Sequence, residues 1–255
     1  MERPRVAFVR ARYLRSLLVR VEANELLSRT GDVARFLNQD GHAYIAGLRT
    51  AERLAGLGRM LGSIVPAGVG MSNDLHSADS YEIRVRNDGA GVLDKFGKQI
   101  VSTTAQAFEF HTDGYNRAHP PRYVLLLRTD CSDELPESFF ADVHAVLHDA
   151  AYAELVDRLC DPIYPSANGP QSVVFDRDAC SIRFNPLEMD RWSGVHTDRG
   201  WREPVKALLS LIGEDPRVDC LRPGDAVMLD NWRVCHARSE LRRDSERTVL
   251  RMWVD

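Results

Sequence analysis

The chain has 255 residues, 44% of them apolar and 27% charged, and a formal net charge of −4. That is enough chain to bury one sizeable core, and the acidic balance argues against nucleic acid as a partner, since neutralising phosphates needs a basic face. No run approaches the ~20 apolar residues of a membrane span, the arginine-rich start lacks the compact apolar segment of a signal peptide, and five scattered cysteines (Cys131, Cys160, Cys180, Cys220 and Cys235) without a C-x-x-C pair suit reduced thiols in a cytoplasm.

Apolar residues near helical spacing from Leu17 to Leu37 predict one or two helices. Residues 41–48 read as a short strand between glycines. Thr50 is placed to cap a helix through Leu54, Leu57 and Leu61, with Gly56 and Gly58 as weak points inside it. Residues 81–86 alternate with period two and run into Asn87-Asp88-Gly89, a strand and its turn. Beyond Ala105, strands are predicted at 107–111, 123–128, 172–175, 182–184, 226–229 and 248–254. Helices are predicted at 138–147, 150–159 and 203–212, the last with Pro204 in a tolerated first turn. Separated strands with segregated helices point to a mainly β fold, a sandwich or barrel braced by helices rather than alternating βαβ units. No G-x-G-x-x-G or Walker loop supports a nucleotide site. A single domain over 1–255 is expected, its helix-rich part (1–104) packing on a β core (105–255).

Phe108-Glu109-Phe110-His111-Thr112-Asp113 sets a carboxylate two residues beyond a histidine. On a strand both side chains point to one face, and Gly114 would let the strand break there. His236, 125 residues later, would come from a distant strand. Two histidines and one carboxylate cover one face of a metal octahedron and leave its other positions open, the ligand set of non-haem Fe(II) oxygenases. A second H-x-D, His196-Thr197-Asp198, competes. Only 40 residues separate His196 from His236, and the helix predicted at 203–212 takes a quarter of them, leaving little room for intervening strands. No clear strand precedes His196 either. His111 and Asp113 are therefore favoured, and His196 reads as a loop histidine near the mouth of the site.

Four segments carry a more specific resemblance: Phe110-His111-Thr112-Asp113, Ile182-Arg183-Phe184-Asn185-Pro186, Leu221-x-Pro223-Gly224-Asp225, and Asp230-Asn231-Trp232-Arg233-Val234-x-His236-x-Arg238. Together they resemble the taurine dioxygenase superfamily, with motifs most similar to its γ-butyrobetaine and trimethyllysine hydroxylase branch. The resemblance covers roughly Ala105 to the C-terminus. It implies a double-stranded β-helix (a jelly-roll, cupin-like core), Fe(II), O2 and 2-oxoglutarate as co-substrate, with succinate and CO2 released. It also assigns roles. His111, Asp113 and His236 would hold the metal. Arg247, eleven residues after the distal histidine, would pair the 2-oxoglutarate carboxylate with help from Ser138, twenty-seven after the proximal one. Arg251 would face an acidic group of the substrate, with Gly114 and Tyr115 beside it.

A carboxylate at 113 favours hydroxylation over halogenation, because radical halogenases of the wider class have Ala or Gly there. Desaturation or ring closure would use the same ligands. The expected substrate is a small molecule, a free amino acid or related small carboxylate, and a homo-oligomer is left open. The aromatic cage that a trimethylammonium group requires is not identifiable, which argues against butyrobetaine and trimethyllysine. Two readings from other classes use the same residues: a cupin-like metal enzyme that does not take 2-oxoglutarate, and a non-catalytic barrel with structural histidines.

Overall fold

Strands that are apolar on both faces must be covered on both sides, and the central strands of this chain are. The computed structural model describes residues 20–28, 30–65, 76–77, 80–85, 92–93, 97, 99–195, 200–242 and 247–255. The chain begins with β1 (Arg20–Glu22), α1 (Ala23–Ser28), α2 (Thr30–Asp40), β2 (His42–Ala46) and α3 (Ala51–Leu61). Short strands follow: β3 (Ile64–Val65), β4 (His76–Ser77), β5 (Ser80–Val85), β6 (Val92–Leu93) and β7 (Gln99–Ile100). The middle of the chain holds β8 (Phe108–His111), β9 (Tyr123–Arg128), β10 (Glu137–Asp142), α4 (His144–Leu147), α5 (Ala153–Cys160), β11 (Val174–Asp176) and β12 (Ser181–Ile182). It closes with α6 (Pro186–Trp192), α7 (Arg202–Ile212), β13 (Arg217–Cys220), β14 (Ala226–Asp230), β15 (Val234–Arg238) and β16 (Arg247–Val254).

Eight strands form one sheet in the order β1-β2-β14-β9-β16-β5-β4, with β3 beside β16; four form a second, β13-β10-β15-β8. Period-two alternation sets the layers. Leu125 and Leu127 of β9, Met228 of β14 and Met252 of β16 pack outward against α1, α2 and α3. Their neighbours Val124, Val227 and Leu229 turn inward and meet Phe140 and Val234 of the small sheet. The far face of that sheet (Phe139, Ala141, Cys235, Ala237) lies under Val156 and Leu159 of α5 and Val205 and Leu208 of α7. The result is two facing sheets with helices outside each. The space between the sheets receives polar side chains from both, His111, Ser138 and His236 from the small one and Arg247 and Arg251 from the large one.

Local sequence explains the helix limits. Thr50 accepts from the Arg53 amide and caps α3, as its position predicts. Gly58 stays inside that helix because a Cβ there would stand 2.8 Å from the Met252 sulfur. Asn185 caps α6 by accepting from the Glu188 amide, with Pro186 in the first turn.

Other expectations need correction. Residues 137–142, read from Ser138 onward as helix, form β10, and only His144–Leu147 is α-helical there. β10 lies between β13 and β15, so Ser138 to Ala141 are all buried, and a short run buried on both faces has no period to tell strand from helix. The strands expected at 172–175 and 182–184 shrink to the hairpin β11–β12, and β1, β13 and α6 were not anticipated. Five strands from the first hundred residues are built into the large sheet. Leu17, Leu18 and the Asn87-Asp88-Gly89 turn lie outside the described residues. Among the described residues no helix is long and apolar enough to cross a membrane.

Candidate metal centre

β8 and β15 run antiparallel with His111 directly opposite His236. Their imidazole rings stand 4.2 Å apart between centroids. A register shift follows, pairing Arg238 with Phe108, and such a bulge re-aims side chains. The Phe108 ring stacks on His111 at 3.9 Å. Asp113 is not on the strand, as its spacing from His111 suggested; β8 ends at His111 and a turn carries Asp113 back. Three contacts build that turn. The Thr112 hydroxyl accepts from the Phe184 amide at 2.8 Å. The fully buried Asn231 side chain accepts from the Asp113 amide at 2.7 Å and donates to the carbonyls of Asp113 and Pro121. Gly114 adopts φ +72°, and a Cβ there would stand 2.6 Å from the Pro121 ring, so glycine is required.

The ligand atoms of His111, Asp113 and His236 all lie within 4.8 Å of one another, and all three residues are buried. Among the described residues no other group of three such side chains converges. His196 and Asp198 lie outside the described residues. The His111 Nδ1 sits 2.8 Å from the Glu109 carbonyl, which holds the proton there and leaves Nε2 free to ligate. Burial, with His111 and Arg251 nearby, pushes His236 down to about 3, and its Nδ1 meets no partner. Burial likewise lowers His111. Both imidazoles are thus neutral, the state a metal needs. Burial alone would raise the Asp113 carboxyl, but Arg251, the two histidines and the Trp253 indole outweigh it and hold it below the usual carboxylate range. One neutral nitrogen pair and one carboxylate, dry and convergent, fit a divalent transition metal.

The cavity that contains the triad extends between the sheets to a cationic end. Arg247 lines it, and its buried Nε meets no acceptor. Burial and the Arg238 and Arg128 charges push Arg247 down to about 9, only partly offset by Asp130. Arg238 lines the same end, but its guanidinium donates to the backbone carbonyls of Ser239, Thr104 and Gln106. Ser138 and Arg251 also line the cavity. Gly114 and Tyr115 do not; Tyr115 is buried in the core under the small sheet, its hydroxyl donating to the Pro165 carbonyl at 2.7 Å. Arg251 turns its Nη1 to Asp113 Oδ1 at 3.1 Å. Two contributors were missed. Asn231 was quoted without a role, and Trp253, whose indole donates to Asp113 Oδ2 at 2.8 Å, was passed over. Trp253 stands two residues beyond Arg251, so strand alternation could have placed it on the same face.

No protein-family model matches the chain, and no curated protein matches its sequence. Solved structures do. Asparagine oxygenase in complex with Fe(II), 2S,3S-3-hydroxyasparagine and succinate superposes with a TM-score of 0.65 at 16% identity, over 91% of this chain and 82% of that one. The non-haem iron oxygenase OrfP in complex with Fe and alpha-ketoglutaric acid superposes with a TM-score of 0.61 at 18% identity, over 91% and 82%. OrfP has also been solved with Fe, succinate and (3S)-hydroxy-L-Arg, with a TM-score of 0.60 at 17% identity over 91% and 79%. The chain shares its fold with these proteins.

Proposed function

We propose that the chain is an Fe(II)- and 2-oxoglutarate-dependent oxygenase of the taurine dioxygenase superfamily, one domain with a jelly-roll core. In this reading it hydroxylates an unactivated C–H of a free amino acid or related small carboxylate. One observation carries the reading: a buried His–Asp–His face and a half-buried arginine whose buried Nε meets no acceptor share one cavity. A desolvated N–H without an acceptor is costly, and a carboxylate is the ligand that the planar guanidinium fork suits. A metal enzyme with no anionic co-substrate gives no reason to keep Arg247 there. The names of the structural neighbours agree, since those enzymes carry Fe, alpha-ketoglutaric acid or succinate, and hydroxylated amino acids. The motif around His236 keeps its resemblance to the γ-butyrobetaine branch, but the substrate class is drawn from the amino-acid oxygenases.

Iron, when bound with 2-oxoglutarate, would activate O2, the oxidant: one oxygen atom enters the substrate C–H bond and the other enters succinate as 2-oxoglutarate loses CO2. The chain's own contribution is placement. His111, Asp113 and His236 would hold the metal. Arg247 would pair the remote carboxylate of 2-oxoglutarate, with the Ser138 hydroxyl as a further donor. Phe108, Leu126, Phe140, Val227 and Val249 line the cavity and keep water from it, which strengthens each polar contact inside.

Anaerobic titration of Fe(II) and 2-oxoglutarate into the apoprotein tests the proposal, with visible absorption near ~500 nm as the signature of the chelate. A band saturating at one iron per chain, and lost in Asp113→Ala, is the expected result. Iron binding without the band would shift the reading to a metal enzyme that does not use 2-oxoglutarate; no iron binding would overturn the site.

A further inference from the structure

The two oxygens of Asp113 are not equivalent. Oδ1 faces the histidine, 3.8 Å from His111 Nε2, and Arg251 Nη1 reaches the same oxygen at 3.1 Å. Oδ2 is turned away and receives the Trp253 indole N–H at 2.8 Å. Asp113 is buried and its backbone amide and carbonyl are both held by Asn231, which leaves the side-chain torsions, the last of them the rotation of the carboxylate about Cβ–Cγ. Trp253 removes it. The indole is fixed in turn: Arg251 lies over its ring at 4.8 Å and Arg117 at 5.6 Å, and β16 pairs Trp253 with Val124 of β9 and Val65 of β3.

From this geometry we infer that Trp253 is a positioning residue for the metal: it occupies Asp113 Oδ2 so that the carboxylate offers the metal Oδ1 alone. The inference rests on the oxygenase reading above, and it deepens it. A carboxylate free to turn would present both oxygens and take a position that co-substrate and O2 need open. A neutral N–H suits this task because it orients the carboxylate without neutralising it. Arg251 places a positive charge against the other oxygen, Oδ1, at 3.1 Å. Hydrogen-bond partners of metal ligands commonly matter about 10- to 100-fold in metal affinity, and Trp253 is the partner whose removal leaves the charge balance of the site intact.

The experiment compares Trp253→Phe with wild type by titrating the purified apoprotein with Mn(II) and following the free-ion EPR signal, alongside thermal unfolding of each apoprotein. Phenylalanine keeps a ring between the sheets and removes only the donor and part of the surface. The expected result is a Kd for Mn(II) raised about 10- to 100-fold, with Trp253→His, which keeps a ring N–H, lying between the two at a comparable apoprotein Tm. An unchanged or lower Kd in Trp253→Phe, with wild type binding one Mn(II) per chain, overturns the inference while leaving the oxygenase reading standing. Equal weakening in Phe and His variants that tracks a fall in apoprotein Tm also overturns it, since that is what packing alone would give. Wild type that binds no Mn(II) overturns both.

Discussion

Arg247 is the residue whose environment makes least sense without a ligand. The residue is half-buried, its buried Nε meets no acceptor, and its charge is opposed by Arg238 and Arg128. Replacing it by alanine removes a charge-assisted contact worth about 1.5–3 kcal/mol, so the KM for 2-oxoglutarate should rise roughly 10- to 150-fold. The same change should leave the apoprotein's Tm unchanged or higher, because it removes a buried donor without an acceptor and relieves the repulsion from Arg238 and Arg128. A steady-state assay with an unfolding curve checks both halves, and a destabilised variant with normal KM would make Arg247 structural. His111, Asp113 and His236 could be proposed from the sequence because an H-x-D after a strand, a distant histidine and a family resemblance point the same way, whereas the H-x-D alone occurs twice in the chain. Trp253 could not. An indole in an apolar strand is equally at home in a core, and only the distance to Asp113 Oδ2 separates the roles.

At the level of elements, legibility followed exposure. α3 was readable because Thr50 supplies a cap and the buried Leu54 and Leu57 follow helical spacing. β10 was not, because Ser138 to Ala141 are all buried and one buried run resembles another. Gly58 shows how context reverses a propensity. In an exposed helix Gly→Ala is worth up to about 1 kcal/mol in favour of alanine. Here the new Cβ would stand 2.8 Å from the Met252 sulfur, and over-packing costs about 1–3 kcal/mol. Gly58→Ala should therefore lower stability in urea denaturation; a gain would mean that Met252 moves aside freely. The turn after β8 shows the same dependence. Thr112, Asn231 and Gly114 together carry Asp113 off the strand, and the two-residue spacing by itself had suggested a ligand pair on one strand face.

Across the whole molecule, two arginines tie the end of α2 to the small sheet: Arg217 of β13 pairs with Asp40 at 3.5 Å, and Arg233 reaches further. Arg233, in the turn before β15, pairs with Asp142 at the end of β10 and donates to the carbonyls of Asn38 and Gln39 at the end of α2. Burial pushes Asp142 upward, but the Arg233 contact outweighs it and leaves the carboxyl below its ordinary range. A lowered folded value means stability present above the unfolded carboxylate's titration and lost as pH falls through the folded one. Asp142→Asn should thus be less stable than wild type near pH 7, with the gap closing below about pH 4; a gap independent of pH would show that charge is not what the contact supplies. Composition and alternation were sufficient to indicate a β fold braced by helices, because those properties reside in residue type and short-range period; the proposed ligand set and its arginine came from motifs and the resemblance that they carry. The division of strands between two sheets, the contribution of the first hundred residues to the larger one, and the partners of Asp113 were decided only in three dimensions. They depend on contacts between segments far apart in the chain, and no local pattern encodes which oxygen of a carboxylate a distant indole will reach.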